Sequence, residues 1–162
     1  MPTSGLAGFD DLIVADGVVI GLAAADKDVL LAALADRIAR SAGIDAALIL
    51  ERVRVREVLG STGFGGGAAI PHARFADLTS VVAVVAVTAL PVDFGAIDNQ
   101  PVDIVVLMLS PEDAGADHLK ALARISRTLR DPVRLDAIRD ARTDAELRAA
   151  ISAEREAPRR AA

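Results

Sequence analysis

Two apolar runs limit most sharply what this chain can fold into. Residues 80–90 and 102–109 are rich in valine and lack the polar alternation of a half-buried strand. Such runs suit strands buried on both faces, and a sheet covered on both faces needs helices on each side. A turn-rich connection with two prolines, residues 90–101, joins them.

The helices can be read from their periodicity and their ends. After Asp26, Leu30, Leu31, Leu34 and Ile38 recur at helical spacing, and Gly43 supplies a stop. Asp45 opens a second helix with Ala46, Ile49, Leu50 and Val53 on one face, closed by Gly60. A third is expected over about 117–130, with His118, Leu122, Ile125 and Leu129 on one stripe. Asp131-Pro132 reads as an N-cap with proline at the first helical position, and Thr143 with Glu146 as a capping box for a last helix. Ahead of these, residues 12–14 and 18–22 read as two short β runs split by the turn pair Asp16-Gly17. The first eleven residues read as a loose lead-in, and 155–162 as a frayed end. With no repeat and no linker, the 162 residues form one α/β domain with a sizeable core.

Composition removes several functions. With no Trp, no Tyr and four Phe, the chain has little on which to stack single-stranded nucleic acid, and a net charge of −5 disfavours a phosphate-backbone partner. That charge suits a basic protein partner, or solubility alone. Zero cysteines remove disulfides, thiolate metal sites and thiol nucleophiles. The start carries no signal-like segment, and the longest apolar stretch is too short to span a bilayer. The expectation is a soluble, cytoplasmic protein without nucleic-acid partner or membrane insertion.

Residues 56–74 hold the chemistry. Five glycines, Ser61, Thr62, Arg56 and Arg74 surround His72, one of two histidines. Four of the glycines lie within 63–67, too flexible for a helix or strand interior, so this reads as a loop whose N–H groups approach an anion. Gly63, Gly65 and Ala68 formally fit a dinucleotide fingerprint, but the segment follows a helix and Pro71 would break the helix required next. No Lys followed by Ser or Thr closes a nucleotide-binding loop, and Gly-x-Ser-x-Gly is absent. His72 and His118 belong to no metal motif, so neither metal nor other cofactor is expected. Histidine as a phosphorus nucleophile remains, with Arg56, the Ser61 and Thr62 hydroxyls and the N–H groups of the loop, Gly63 and Gly65 among them, as phosphate donors. The Arg52, Arg54 and Arg56 cluster has a second reading as ordinary cations at a helix C-terminus. His118 stands open between anion binding at a helix N-terminus and heading an apolar stripe.

Arg56-Glu-x-x-x-Ser-Thr-Gly-x-Gly-x-Gly-x-Ala-Ile-Pro-His72 resembles the active-site segment of enzyme IIA proteins, the fructose/mannitol and nitrogen-related class of the bacterial phosphoenolpyruvate-dependent phosphotransferase system. Phe94-x-x-x-Asp98-Asn-Gln-Pro-Val-Asp103 and His118-Leu-Lys-x-Leu are similar to its downstream segments, and the likeness covers roughly residues 12–152 of a single type-2 enzyme IIA domain. Phe64 and Gly66 depart from the pattern without touching a proposed catalytic group. The resemblance implies a mixed, mostly parallel sheet flanked by helices on both faces, as in the mannitol-type enzyme IIA. It implies phosphorylation of His72 by the histidine phosphocarrier protein, His118 as the second active-site histidine, and Arg56 steadying the phosphoryl charge. Sugar systems pass the group to a cysteine of an enzyme IIB, which this chain does not contain. A lone domain with Asp98-Asn-Gln-Pro resembles the nitrogen-related branch, whose partners are regulatory targets; the alternative is a sugar-specific enzyme IIA.

Overall fold

The computed structural model describes residues 8–152, and the two valine-rich runs form its central strands. In chain order the elements are β1 (Ile13–Leu22), α1 (Lys27–Ala42), α2 (Ala46–Val58), β2 (Gly63–Gly65), β3 (Ala68–Ala69), β4 (His72–Phe75), β5 (Val82–Val92), β6 (Val102–Pro111), α3 (Gly115–Leu129), α4 (Pro132–Asp140) and α5 (Asp144–Ala150). The sheet runs β1-β5-β6-β3-β2, with β4 also on β6. Pairs β1–β5, β3–β6 and β4–β6 are parallel, while β5–β6 and β2–β3 are antiparallel. This is the expected mixed, mostly parallel sheet.

Period-two alternation divides the central strands between two cores. Val84, Ala86, Val105, Leu107 and Leu109 face Leu30, Leu34, Ile38, Ile49 and Val53 of α1 and α2. Ala83, Val85, Ile104, Val106 and Met108 face Ile125, Leu129, Ile138 and Leu147 of α3, α4 and α5. Each fully buried side chain of this size stabilises by about 1.5–3 kcal/mol before its entropy is counted, so neither face can be left bare. Local signals fix the helix ends. Asp26, Asp45, Asp131 and Thr143 each accept a hydrogen bond from a first-turn N–H, and Gly43 closes α1 at φ 70°. The box at α5 is shifted, since Glu146 accepts from the N–H of Arg142 and not of Thr143.

Four expectations are corrected. Residues 13–22 are one strand with a register irregularity between Ile13 and Val18, because Arg37 and Arg40 hold Asp16 at its outer edge and the chain resumes pairing beyond. Residues 8–11 are no loose lead-in: Phe9 is fully buried and its N–H donates to Ile151 O. The glycine segment is a hairpin, with Gly63–Gly65 paired to Ala68–Ala69, since β6 offers β3 an edge to pair with. Strand β5 runs on to Val92, with a register irregularity between Val87 and Val92 and Pro91 exposed. The tail expected to fray, 155–162, lies outside the described residues.

Candidate active site

Strand β4 lies beside the last residues of β6, with His72 opposite Met108 and Arg74 opposite Ser110. Ala73 and Phe75 point into the core under α1 and α2, so alternation sends His72 and Arg74 the other way together. There they meet the last turns of α2 and the first turn of α3. The result is a cleft of about 330 Å³ lined by Arg52, Val55, Arg56, Leu59, His72, Ala73, Arg74 and His118. The two imidazoles are 5.5 Å apart, centroid to centroid, edge to face.

Each ring has one nitrogen committed. His72 Nδ1 is 2.7 Å from the carbonyl oxygen of Ile70. Pro71, between them, has no N–H to offer, while its carbonyl accepts from Met108 and pins the bend to β6. His118 Nδ1 is 2.8 Å from the buried Ser110 hydroxyl. Of the two readings left open by the sequence, His118 takes the place of the second, 5 % exposed at the head of the α3 stripe, and it also borders the cleft. Burial holds the His72 pKa below its ordinary value; the Ile70 carbonyl raises it, Arg56 lowers it, Glu57 raises it and Arg74 lowers it. His118 is pushed down to about 4 by burial first, then by Arg74 and His72. Both rings are therefore neutral near pH 7, which is the form that can attack.

The cations are braced for the cleft. Arg56 Nη1 donates to Gly60 O at 2.9 Å, and Arg52 donates to Arg74 O at 2.8 Å while its guanidinium lies over the Phe75 ring. Arg52 and Arg74 were not singled out as site residues by sequence. The available signal for Arg74 was its position two residues after His72 on a strand, hence on the same side.

The cradle expected from Ser61, Thr62, Gly63 and Gly65 is not assembled around His72. Ser61 Oγ donates to Phe94 O and accepts from Gly63 N–H, and the Thr62 hydroxyl and N–H both go to Glu57. The hairpin tip lies elsewhere: Gly67 O accepts from Asp103 and Ile104, whereas His72 stands opposite Met108, roughly 15 Å further along β6 at strand rise. Asp98 accepts from Gly66 N–H, and Asp103 pairs with Arg139 beside Gly67, so the second motif segment clasps the hairpin and not the cleft. Among the described residues no group of three or more His, Asp or Glu could hold a metal ion, and no helix is long and apolar enough to cross a membrane.

A mixed sheet covered on both faces, with paired neutral imidazoles in an arginine-lined cleft at its edge, defines a domain suited to handling an anion at histidine. A family model described as "Phosphoenolpyruvate-dependent sugar phosphotransferase system, EIIA 2" matches residues 11–154, and the chain belongs to that family. A relative named "Nitrogen regulatory protein" from Bradyrhizobium diazoefficiens is 43% identical over 121 residues, 75% of this chain and 79% of the relative. The crystal structure of Nitrogen Regulatory Protein IIA-Ntr from Neisseria meningitidis superposes with a TM-score of 0.84 at 27% identity, over 88% of this chain and 98% of that one. IIA mannitol from Escherichia coli superposes with a TM-score of 0.73 at 16% identity, over 86% and 98% of the two chains, and shares the fold.

Proposed function

We propose that this chain is a phosphoryl carrier that accepts a phosphoryl group on Nε2 of His72 from the histidine phosphocarrier protein and acts chiefly as a nitrogen-related regulator. One observation carries the reading: the 2.7 Å contact from His72 Nδ1 to Ile70 O. A carbonyl oxygen can only accept, so Nδ1 keeps its proton and Nε2 keeps the lone pair. Nε2 attacks the phosphorus of the carrier's phosphohistidine in line. The new N–P bond forms as the carrier's N–P bond breaks, and the carrier's imidazole leaves with that electron pair. The proton on Nδ1 stays in place, with the developing ring charge against the Ile70 carbonyl.

Arg56 and Arg74 supply positive charge where the three equatorial oxygens must sit. His118, held through Nδ1 by the Ser110 hydroxyl, donates to one of those oxygens in the tautomer that carries its proton on Nε2. Val55 and Leu59, 62% and 81% exposed, rim the cleft, and Leu119 at 65% follows His118, an apolar border on which a carrier protein can close and exclude water. The relative named for nitrogen regulation supports the regulatory branch over the sugar branch. These 162 residues hold no cysteine, so an enzyme IIB-type acceptor lies outside them.

Incubation with phosphoenolpyruvate, enzyme I and the carrier should give an acid-labile, base-stable phosphate on the wild type and none on His72→Ala. Equal labelling of the two would overturn the assignment. The phosphoprotein should keep its phosphate when a sugar-permease enzyme IIB is added; fast transfer to that cysteine would move the chain to the sugar-specific branch.

A further inference from the structure

Two charged residues stand against the dipoles of their own helices. Lys27 is the first residue of α1, where a cation is disfavoured, and Glu57 is in the last turn of α2, where an anion is. Glu57 is also 9% exposed, between half-buried Arg56 and exposed Val58 and Leu59. Local preference broken twice at one place calls for a role that local structure does not explain. The two side chains meet: Lys27 Nζ is 2.8 Å from Glu57 Oε1 and 3.2 Å from Phe94 O.

From Glu57 a chain of hydrogen bonds leads to the imidazole. Glu57 Oε1 accepts from Thr62 N–H at 3.1 Å, and Oε2 accepts from the Thr62 hydroxyl. The Thr62 carbonyl then accepts from Ile70 N–H at 3.2 Å, and the Ile70 carbonyl faces His72 Nδ1 at 2.7 Å. Ile70 precedes Pro71, so the peptide that orients the imidazole has no ladder bond of its own on the following residue. Thr62 holds the preceding peptide, through the Ile70 N–H on the other side of the same α-carbon, and Glu57 holds Thr62. The Glu57 charge also acts on His72 through space in the direction opposite to Arg56 and Arg74.

We propose that Glu57 is a positioning residue for His72: anchored by Lys27, it holds Thr62 and through Thr62 the Ile70 carbonyl, and so keeps the His72 proton on Nδ1 and the lone pair on Nε2. The catalytic consequence rests on the phosphoryl-transfer reading above; the tautomer does not. Thr62, expected from sequence to touch phosphate, acts through the backbone instead.

The test uses Glu57→Gln, Thr62→Val and Thr62→Ser in the full chain. Long-range 15N–1H NMR of the His72 ring should show the Nδ1–H tautomer in the wild type and in Thr62→Ser, which keeps the hydroxyl. Glu57→Gln and Thr62→Val should both populate the Nε2–H tautomer. Their maximal transfer rate should fall about tenfold to a hundredfold, the scale of a misplaced reacting group, with KM for the carrier unchanged because the cleft rim is untouched. If Glu57→Gln does not fold, Thr62→Val decides alone. An unchanged His72 tautomer in the folded variants overturns the proposal, even where the rate falls, since packing damage alone would do that. A wild type that takes no phosphoryl group would instead sink the functional reading and leave the tautomer result standing.

Discussion

His118 couples the site to pH. Its pKa is about 4 in the folded protein against an ordinary 6.5. Above pH 6.5 neither the folded nor the unfolded chain protonates it, so its burial costs nothing. Between 6.5 and 4 the unfolded chain takes up a proton that the folded one refuses, and stability falls with pH; below 4 both are protonated and the loss levels off. Thermal melts from pH 7 to pH 4 should therefore show the wild type losing stability relative to His118→Gln, the carboxylates titrating alike in both. Parallel curves would contradict the burial of a neutral ring. At this scale the sequence was legible where a residue type carries its own chemistry: His72, His118 and Arg56 meet in one cleft. Thr62 and Glu57 were not legible in that way. A hydroxyl beside glycines reads as an anion donor; Glu57 lies five residues before Thr62, but it takes the turn after α2 to bring its carboxylate to the hydroxyl and the packing of α1 on α2 to bring Lys27 to Glu57.

The helix ends and the glycine hairpin make contrasting demands on glycine. Gly43 has φ 70°, and a β-carbon added to it would meet nothing within 4 Å, so Gly43→Ala faces backbone strain alone, about 1–2 kcal/mol. Gly67 has φ 85° and a β-carbon there would collide with Arg139 Nη2 and come 2.9 Å from Asp103 Oδ1. Gly67→Ala should cost clearly more than Gly43→Ala in urea melts, because it must also part the Arg139–Asp103 ion pair. Equal costs would mean that the hairpin yields freely. Caps such as Asp26, Asp45 and Asp131 were legible because cap and N–H lie within a few residues of each other. The hairpin was not, since a glycine run has no strand propensity and Gly63–Gly65 become a strand only by joining β3 on the β6 edge. The single strand β1 was missed for a similar reason: Asp16-Gly17 looks like a turn until α1 supplies Arg37 and Arg40 to hold Asp16.

The whole molecule places one reactive ring where two layers end. Strands β5 and β6, unbroken in their apolar character, announced a sheet covered on both faces, and α1–α2 and α3–α5 cover it. The edge of that sheet, β4 beside β6, was invisible in sequence because four residues carry no periodic signal. Yet this edge sets the cleft, by bringing α2 from one layer and α3 from the other to His72. The central claim is that a phosphoryl group sits on Nε2 of His72, and 15N NMR of the phosphorylated, histidine-labelled protein tests it most directly. The account predicts 15N–31P coupling at Nε2 of His72 with Nδ1 still protonated and His118 unmodified; coupling at Nδ1 of His72, or at either nitrogen of His118, would contradict it.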